Sequence, residues 1–260
     1  MKAIELMKAV AGEAFDTPGT VDNFKYGDKE REVSRVAVCL TATPDVIREA
    51  SKWGADLIIT HEPTYYEHTD EPFASPITDL KKRLIEECDV PICRFHDHMH
   101  FGRDDMIALG FIESMEWEDK GDFDGVSAFV LKEKTDPLTL AKDIEKKLGI
   151  KHVRIVGSAD GEVEKIGLFL GHRGGDWWGE FKRCERFDLV IAGEWCEWHD
   201  GEIIRDASQL GVQMTALMLG HAASERDGMK YLAKVIKRDF EDRGVTAAYF
   251  ECGELFSYAD

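Results

Sequence analysis

The chain has 260 residues, enough for one or two domains. Its 51 acidic and 33 basic side chains give a formal net charge of −18, and 43% of its residues are hydrophobic. The hydrophobic fraction excludes a disordered chain, and the acidity argues against nucleic acid or an anionic membrane as the main partner, because both need a basic surface. With no apolar run near the roughly 20 residues of a membrane helix and no CxxC cysteine pair, we expect a cytoplasmic protein.

The first predicted unit is a strand, a helix and a second strand. Val36–Leu40 is a short apolar run typical of a buried strand. Thr43 supplies an N-cap before Pro44, and Gly54 ends the helix. Asp56–Thr60 is then the second strand. The pattern predicts a βαβ unit.

A second helix is predicted to begin at Ser75-Pro76, and the apolar run Val90–Phe95 follows it as a strand. Helical spacing predicts one buried face on this helix. That face consists of Ile77, Leu80, Leu84 and Cys88.

Two more helices are predicted further along the chain. Asp136-Pro137 begins one of them. Ser224 is the expected N-cap of the other, which ends at Gly244 and follows the apolar run Thr215–Leu219. The polar stretch Asp119–Asp124 is the best candidate for a crossing between domains.

The alternation of strands and helices predicts an α/β fold with two interlinked lobes. A weak repeat, DLIIT at Asp56 and DLVIA at Asp188, suggests an internal duplication, although similar apolar strands also arise by chance. We expect a metal-binding domain made of residues 1–120 and 205–260, and a second domain made of residues 121–204.

Three clusters of histidine and carboxylate follow predicted strands. His61 and Glu62 come directly after DLIIT. At the carboxyl ends of strands in an open α/β sheet, side chains from neighbouring strands converge on ligands. This placement makes both residues candidate metal ligands.

The second cluster is His96-Asp97-His98-Met99-His100. If the extended conformation continues past the strand, His96, His98 and His100 share one face. Three imidazoles on one face repel one another when protonated and are accommodated by binding a cation. An exposed histidine-rich loop is the alternative interpretation.

The third cluster contains His221 and Glu225, just before the last predicted helix. Their spacing lets an imidazole and a carboxylate face one cation. The alternative for Glu225 is a first-turn carboxylate that favours the helix dipole, which leaves His221 unexplained.

Mixed imidazole and carboxylate ligands suit Zn, Fe, Mn, Co or Ni, and the absence of thiolates argues against a structural zinc finger. At least five candidate ligands exceed the needs of one four-coordinate ion. We therefore expect two divalent transition-metal ions at the strand ends, with a bridging hydroxide as the nucleophile of a hydrolase.

The order of the motifs resembles a known family, the dinuclear-metal, ring-forming hexamers related to the NGG-interacting factor (NIF three-like), many of them named GTP cyclohydrolase I type 2. Family members have a strand ending in His-His-Pro, a strand leading to His-Thr-Asn-Leu-Asp, and Gly-His-x-x-x-Glu before the last helix. Here GADLIITHEPTYY, CRFHDHMH and GHAASERDG stand in the same order, and the segment after Asp22-Asn23 is also similar. The likeness spans nearly the whole chain.

Carried over by position, the resemblance implies metal ligands at His61, His221 and Glu225. Glu62 replaces the second histidine of the family's His-His pair, and His100 replaces the closing aspartate of the strand motif. Each replacement can still bind a metal, and the formal ligand charge is preserved. We expect all five as ligands.

His96 aligns with the first histidine of the family's strand motif, and His98 lies beside it. Both are candidates for proton transfer or for contacts behind the ligands, with simple polar packing as the alternative for His98. We expect His96 and Glu225 to be the catalytic residues.

The resemblance further implies a homohexamer acting on a nucleotide, with opening of the imidazole ring of GTP and release of formate. The alternative is a noncatalytic ring that holds metal as a scaffold, in trafficking or in regulation. Neither nucleic acid nor a membrane is expected as a partner, given the acidity of the chain.

Overall fold

The computed structural model describes residues 1–12, 14–101, 104–172, 182 and 186–259. The chain divides into two compact units, Met1–Met106 with Gly228–Asp260, and Ile107–Asp227. Each unit contains one β-sheet with helices, so the predicted α/β fold is confirmed. No helix within these ranges is both long and apolar enough to cross a membrane.

Unit 1 contains a five-stranded sheet in the order β1-β4-β3-β2-β11. The neighbours β4, β3, β2 and β11 run parallel, and β1 is antiparallel to β4. Its strands are β1 Phe24–Tyr26, β2 Arg35–Cys39, β3 Leu57–Thr60, β4 Ile92–Arg94 and β11 Thr246–Tyr249. The helices that begin in residues 1–106 are α1 Ala3–Ala11, α2 Pro44–Trp53, α3 Pro76–Cys88, α4 Asp97–His100 and α5 Met106–Ser114.

Unit 2 contains a six-stranded sheet in the order β5-β6-β8-β9-β10-β7. Its strands are β5 Gly121–Phe123, β6 Ala128–Thr135, β7 Arg154–Gly157, β8 Val163–His172, β9 Leu189–Glu194 and β10 Thr215–Met218. Within the described residues, the α-helices after α5 are α6 Pro137–Leu148, α7 Glu202–Gln209 and α8 His221–Phe240. The predicted division of the chain, at 120/121 and 204/205, differs from this one. β10, which lies in the predicted metal-binding domain, pairs with β9 and β7 of the second sheet. Asp119–Asp124, expected as a crossing, contributes β5 to the second sheet.

The three helices predicted from a capping residue before proline form as expected. Thr43 Oγ1 accepts a hydrogen bond from Val46 N–H at 3.2 Å, which caps α2. Ser75 and Asp136 cap α3 and α6 in the same way. These caps satisfy N–H groups that have no partner within their own helix, so the local sequence suffices to place the helix starts.

The buried face of α3 differs from the predicted one. Ile77 and Leu80 are exposed, whereas Lys81 is buried with its ammonium donating to the Thr64 carbonyl at 2.7 Å. The segment after β3 covers this side of the helix. The aliphatic part of Lys81 is therefore buried there, and its ammonium group is hydrogen-bonded, where helical spacing predicted apolar side chains.

The two sheets share a strand order, as the suggested duplication predicts. The order β1-β4-β3-β2 in unit 1 matches β7-β10-β9-β8 in unit 2, with the first strand antiparallel and the rest parallel in both. The aspartate that begins each DLIIT-like segment also makes the same contacts. Asp56 accepts from the backbone N–H groups of residues 34 and 35, and Asp188 from those of residues 164 and 165. The intervening residues 173–181 and 183–185 of the second repeat lie outside the described residues.

Asp56→Ala tests how much this aspartate contact stabilises unit 1. Burial alone would raise the pKa of Asp56, but hydrogen bonds from the N–H groups of Ser34 and Arg35 and from the Ser34 hydroxyl outweigh it and lower the pKa. We expect a loss of about 1–2 kcal/mol in the free energy of unfolding at pH 7, measured by urea denaturation. Since the folded-state pKa is depressed, this contribution is present above about pH 4 and shrinks as the pH falls through the folded-state value.

The control for this variant is Asp45→Ala, because Asp45 is exposed and forms an ion pair with Arg48 on the same helix. We expect its free energy of unfolding to stay within about 0.5 kcal/mol of the parent at pH 7 and at pH 3. An equal loss in the two variants, or a loss for Asp56→Ala that persists at pH 3, would contradict the assignment.

Candidate metal centre

The first part of the candidate site is His61, which directly follows β3. Its side chain is fully buried, and its Nδ1 lies 3.1 Å from the Phe95 carbonyl oxygen. Phe95 N–H in turn donates to the Thr60 carbonyl at 2.9 Å. Parallel pairing of β3 with β4 therefore brings His61 beside the segment that follows β4, as expected at the carboxyl end of a sheet.

The histidine run after β4 is helical, so the extended conformation expected from the sequence is wrong. Residues Asp97–His100 form the four-residue helix α4. In a helix, residues four apart lie on one side, which groups His96 with His100 and turns His98 to another direction. Two of the three predicted imidazoles therefore face His61, and the third does not.

Asp22 is the physical reason for the helical turn. This buried carboxylate accepts hydrogen bonds from three successive N–H groups, those of His96 at 2.5 Å, Asp97 at 3.0 Å and His98 at 2.8 Å. It also binds the His98 ring, with 2.6 Å from Nδ1 to Oδ2. A carboxylate that collects the first amides of a turn acts as an N-cap supplied from a distant segment.

His61, His96 and His100 form a compact cluster of imidazoles. The ring centroids lie 4.6 Å apart for His61 and His96, 5.2 Å for His61 and His100, and 5.1 Å for His96 and His100. Each residue offers a nitrogen within 4.8 Å of the nitrogens of the other two. We call these three residues the imidazole cluster.

Hydrogen bonds to Nδ1 orient all three rings. The oxygen partners are the Phe95 carbonyl for His61, Asp97 Oδ1 for His96 at 3.0 Å, and Asp105 Oδ2 for His100 at 3.0 Å. A carbonyl or carboxylate oxygen accepts the Nδ1 proton, which makes Nε2 the nitrogen that carries the lone pair in a neutral ring. Metal-binding histidines usually show this arrangement, so the donor set fits a divalent transition metal.

Electrostatics keeps His96 in the neutral form that a ligand needs. Burial, followed by repulsion from His61, lowers the pKa of His96 to about 4 despite the hydrogen bond to Asp97. For Asp97, burial alone would raise the pKa, but hydrogen bonds from His96, Val21 N–H and Thr20 Oγ1 outweigh it and hold the pKa at about 2. At neutral pH the pair is therefore a carboxylate beside a neutral imidazole.

The segment after His61 is held by a buried arginine. Arg94 donates from Nε to the His61 carbonyl at 3.0 Å and from a terminal nitrogen to the His68 carbonyl. Glu62 has a carboxylate oxygen within 4.8 Å of a nitrogen of His61. Both predicted ligands after β3 are thus on one fixed segment.

His221 and Glu225 are brought together in unit 2. His221 Nε2 lies 3.0 Å from Glu225 Oε2, and Glu225 is 3% exposed. Helix α8 begins at His221, so the prediction that Ser224 is its N-cap is wrong. Ser224 Oγ instead donates to the His221 carbonyl and accepts from Gly171 N–H, because the helix begins three residues earlier and places this hydroxyl inside its first turn.

Sequence reasoning found no role for Asp22, Arg94 or Asp105, all of which contact candidate ligands or their backbone. Arg94 carried a usable signal, since an arginine inside the apolar strand VPICRF must be buried with partners. Asp22 was noticed only as part of a motif. Asp105 lies five residues after His100, and no local pattern pairs the two.

Comparisons with known proteins agree with the motifs. The family model described as Duf34/NIF3 (NGG1p interacting factor 3) matches residues 6–252. A GTP cyclohydrolase 1 type 2 homolog from Clostridium perfringens is 28% identical over 82% of this chain and 80% of its own length. One from Pyrococcus abyssi is 25% identical over 86% and 87%.

Solved structures show the same fold at low sequence identity. A Staphylococcus aureus hypothetical protein has a TM-score of 0.76 at 17% identity and covers 99% of both chains. A Bacillus cereus protein related to NIF3 has a TM-score of 0.73 at 16% identity and covers 99% of this chain and 98% of its own. The resemblance predicted from the three motifs is confirmed.

Proposed function

Because the chain belongs to the Duf34/NIF3 (NGG1p interacting factor 3) family, we propose that it binds two divalent transition-metal ions and acts as a hydrolase. The observation that carries the proposal is the imidazole cluster, in which the Nδ1 atom of every ring is bonded to an oxygen. Metal binding is the chemistry that most directly suits three adjacent, largely buried imidazoles whose Nδ1 atoms are all bonded to oxygen.

The proposed ligands are those predicted from the sequence, with one addition. These ligands are His61, Glu62, His100, His221 and Glu225. His96 joins them as a fourth imidazole, because its neutral ring faces those of His61 and His100.

When bound, the two ions would activate a water molecule and neutralise negative charge that develops on the substrate. The surrounding residues would keep the ligands in place. Asp97 and Asp105 accept the Nδ1 protons of His96 and His100, which keeps Nε2 deprotonated. Glu225 is the proposed proton acceptor, because its buried carboxylate already faces an imidazole nitrogen.

The proposed substrate is a nucleotide, and the reaction is hydrolytic opening of an imidazole ring. The support is the name of the curated relatives, GTP cyclohydrolase 1 type 2 homolog. Physiological metals such as zinc or iron are proposed on ligand chemistry alone. We further propose a cytoplasmic homohexamer, following the family resemblance.

Elemental analysis and an activity screen test the proposal together. We expect about two transition-metal ions per chain, and under half an ion would refute the metal site. The metal-replete protein should then hydrolyse at least one compound among nucleotides, cyclic amides and phosphoesters, and Glu225→Ala should abolish that turnover. Chelation should do the same while leaving the oligomer intact.

The alternative function is a noncatalytic metal-binding ring that serves as a scaffold or in metal trafficking or regulation. The imidazole cluster supports this function equally, because holding an ion needs no turnover. Two ions per chain with no turnover in the screen, and a loss of thermal stability or assembly on chelation, would favour the scaffold over the hydrolase.

A further inference from the structure

Glu194, the last residue of β9, has its carboxylate between two histidines. Its Oε1 lies 3.1 Å from His221 Nδ1, within hydrogen-bonding distance, and 3.8 Å from His172 Nδ1. The proposed function uses neither Glu194 nor His172, and the motifs of the family do not include them.

The strand order that the two sheets share gives Glu194 a counterpart in unit 1. Leu57 pairs with Val36 in unit 1, and Leu189 pairs with Ile166 in the equivalent strands of unit 2. Five residues after each leucine stands a glutamate, Glu62 in the first repeat and Glu194 in the second. Glu194 therefore occupies the position that holds a proposed metal ligand in unit 1.

The residue before Glu194 explains why no imidazole stands at the position of His61 in the second repeat. Gly193 stands at the position of His61, and a Cβ atom there would lie 2.3 Å from the Gly171 carbonyl oxygen and 2.6 Å from Ser224 Oγ. No side chain fits at such distances. The second repeat thus keeps the carboxylate and replaces the imidazole with close backbone packing.

His221 faces the carboxylates of Glu194 and Glu225. Metal binding needs the neutral imidazole, which has a single N–H group to share between them. If the proton is on Nδ1, it bonds to Glu194, and Nε2 keeps its lone pair on the side of Glu225. If the proton is on Nε2, it bonds to Glu225, and that nitrogen is unable to bind a metal. The position of one proton therefore decides whether His221 can act as a ligand.

We propose that Glu194 is a positioning residue, which holds the proton of His221 on Nδ1 and thereby makes Nε2 a metal ligand. This inference rests on the proposed metal-binding function. Carboxylates that hold ligand histidines in this way typically change metal affinity by about 10–100-fold when they are removed.

The test compares Glu194→Ala and Glu194→Gln with the parent protein in two measurements. The first is ¹⁵N NMR of the His221 ring in the metal-free protein, and the second is a Zn²⁺ titration against a competing chelator. We expect Glu194→Ala to move the proton from Nδ1 toward Nε2 and to weaken Zn²⁺ binding by about 10–100-fold. Glu194→Gln should rescue part of both effects, since its amide oxygen still accepts from Nδ1.

The control is Glu197→Ala, three residues further on, because Glu197 carries the same charge and pairs with Arg154 instead of a histidine. It should change neither measurement. An unchanged tautomer in Glu194→Ala, or unchanged Zn²⁺ affinity, would overturn the proposal. If the parent bound no Zn²⁺ at all, the proposed function would fail, and the tautomer of metal-free His221 would still show whether Glu194 places the proton.

Discussion

His100→Ala is expected to weaken the binding of a divalent transition metal by about 100-fold or more. Removing a ligand should cost at least as much affinity as removing a residue that hydrogen-bonds to a ligand. His98→Ala is the matched control. Both histidines belong to the same short helix, and their side chains are similarly buried, with 13% and 17% exposed. Only His100 faces His61, since the His98 ring is bonded to Asp22.

A Zn²⁺ or Co²⁺ titration with a competing chelator measures this difference. His98→Ala should keep its metal affinity within a few-fold of the parent while losing about 1 kcal/mol of stability through the broken ring contact. Equal losses of affinity in the two variants would mean that all three histidines of the run act together, as the extended conformation required. Unchanged affinity in His100→Ala would remove His100 from the ligand set.

Asp22→Ala is expected to lower the free energy of unfolding by about 3 kcal/mol or more, because it leaves three N–H groups and a ring nitrogen without their acceptor. The carboxylate is fully buried, so water does not readily replace it. Since the turn of α4 depends on these bonds, the variant should also lose metal affinity as His96 and His100 lose their orientation.

Asp22→Asn and Asp28→Ala serve as the comparisons for this variant. Asparagine keeps one acceptor oxygen and should fall between the parent and Asp22→Ala in urea denaturation. Asp28, an exposed residue nearby in the sequence, accepts only from Glu30 N–H among its side-chain hydrogen bonds within the described residues, and its removal should cost about 0.5 kcal/mol or less. A stability of Asp22→Ala within that same range would show that α4 forms without the cap.

The local sequence was sufficient to predict the elements that depend on neighbouring residues. Thr43, Ser75 and Asp136 each cap a helix through a bond that spans three positions, so their effect is visible in the sequence alone. Short apolar runs predicted β2, β3 and β4 for the same reason. Local patterns did not predict the buried face of α3. Lys81 is buried there because its ammonium group donates to the carbonyl of Thr64, in the segment after β3.

The candidate site also combines features that the local sequence predicts with features that depend on the tertiary structure. The sequence by itself determined which residue types stand at the carboxyl ends of the strands, namely His61, His96, His100 and the pair His221 and Glu225. Only the tertiary structure decided which of these rings face one another, because Asp22, more than 70 residues away along the chain, turns the histidine run into a helix. Strand pattern and ligand chemistry are encoded locally, whereas the direction of a side chain depends on hydrogen bonds that form only once distant segments meet.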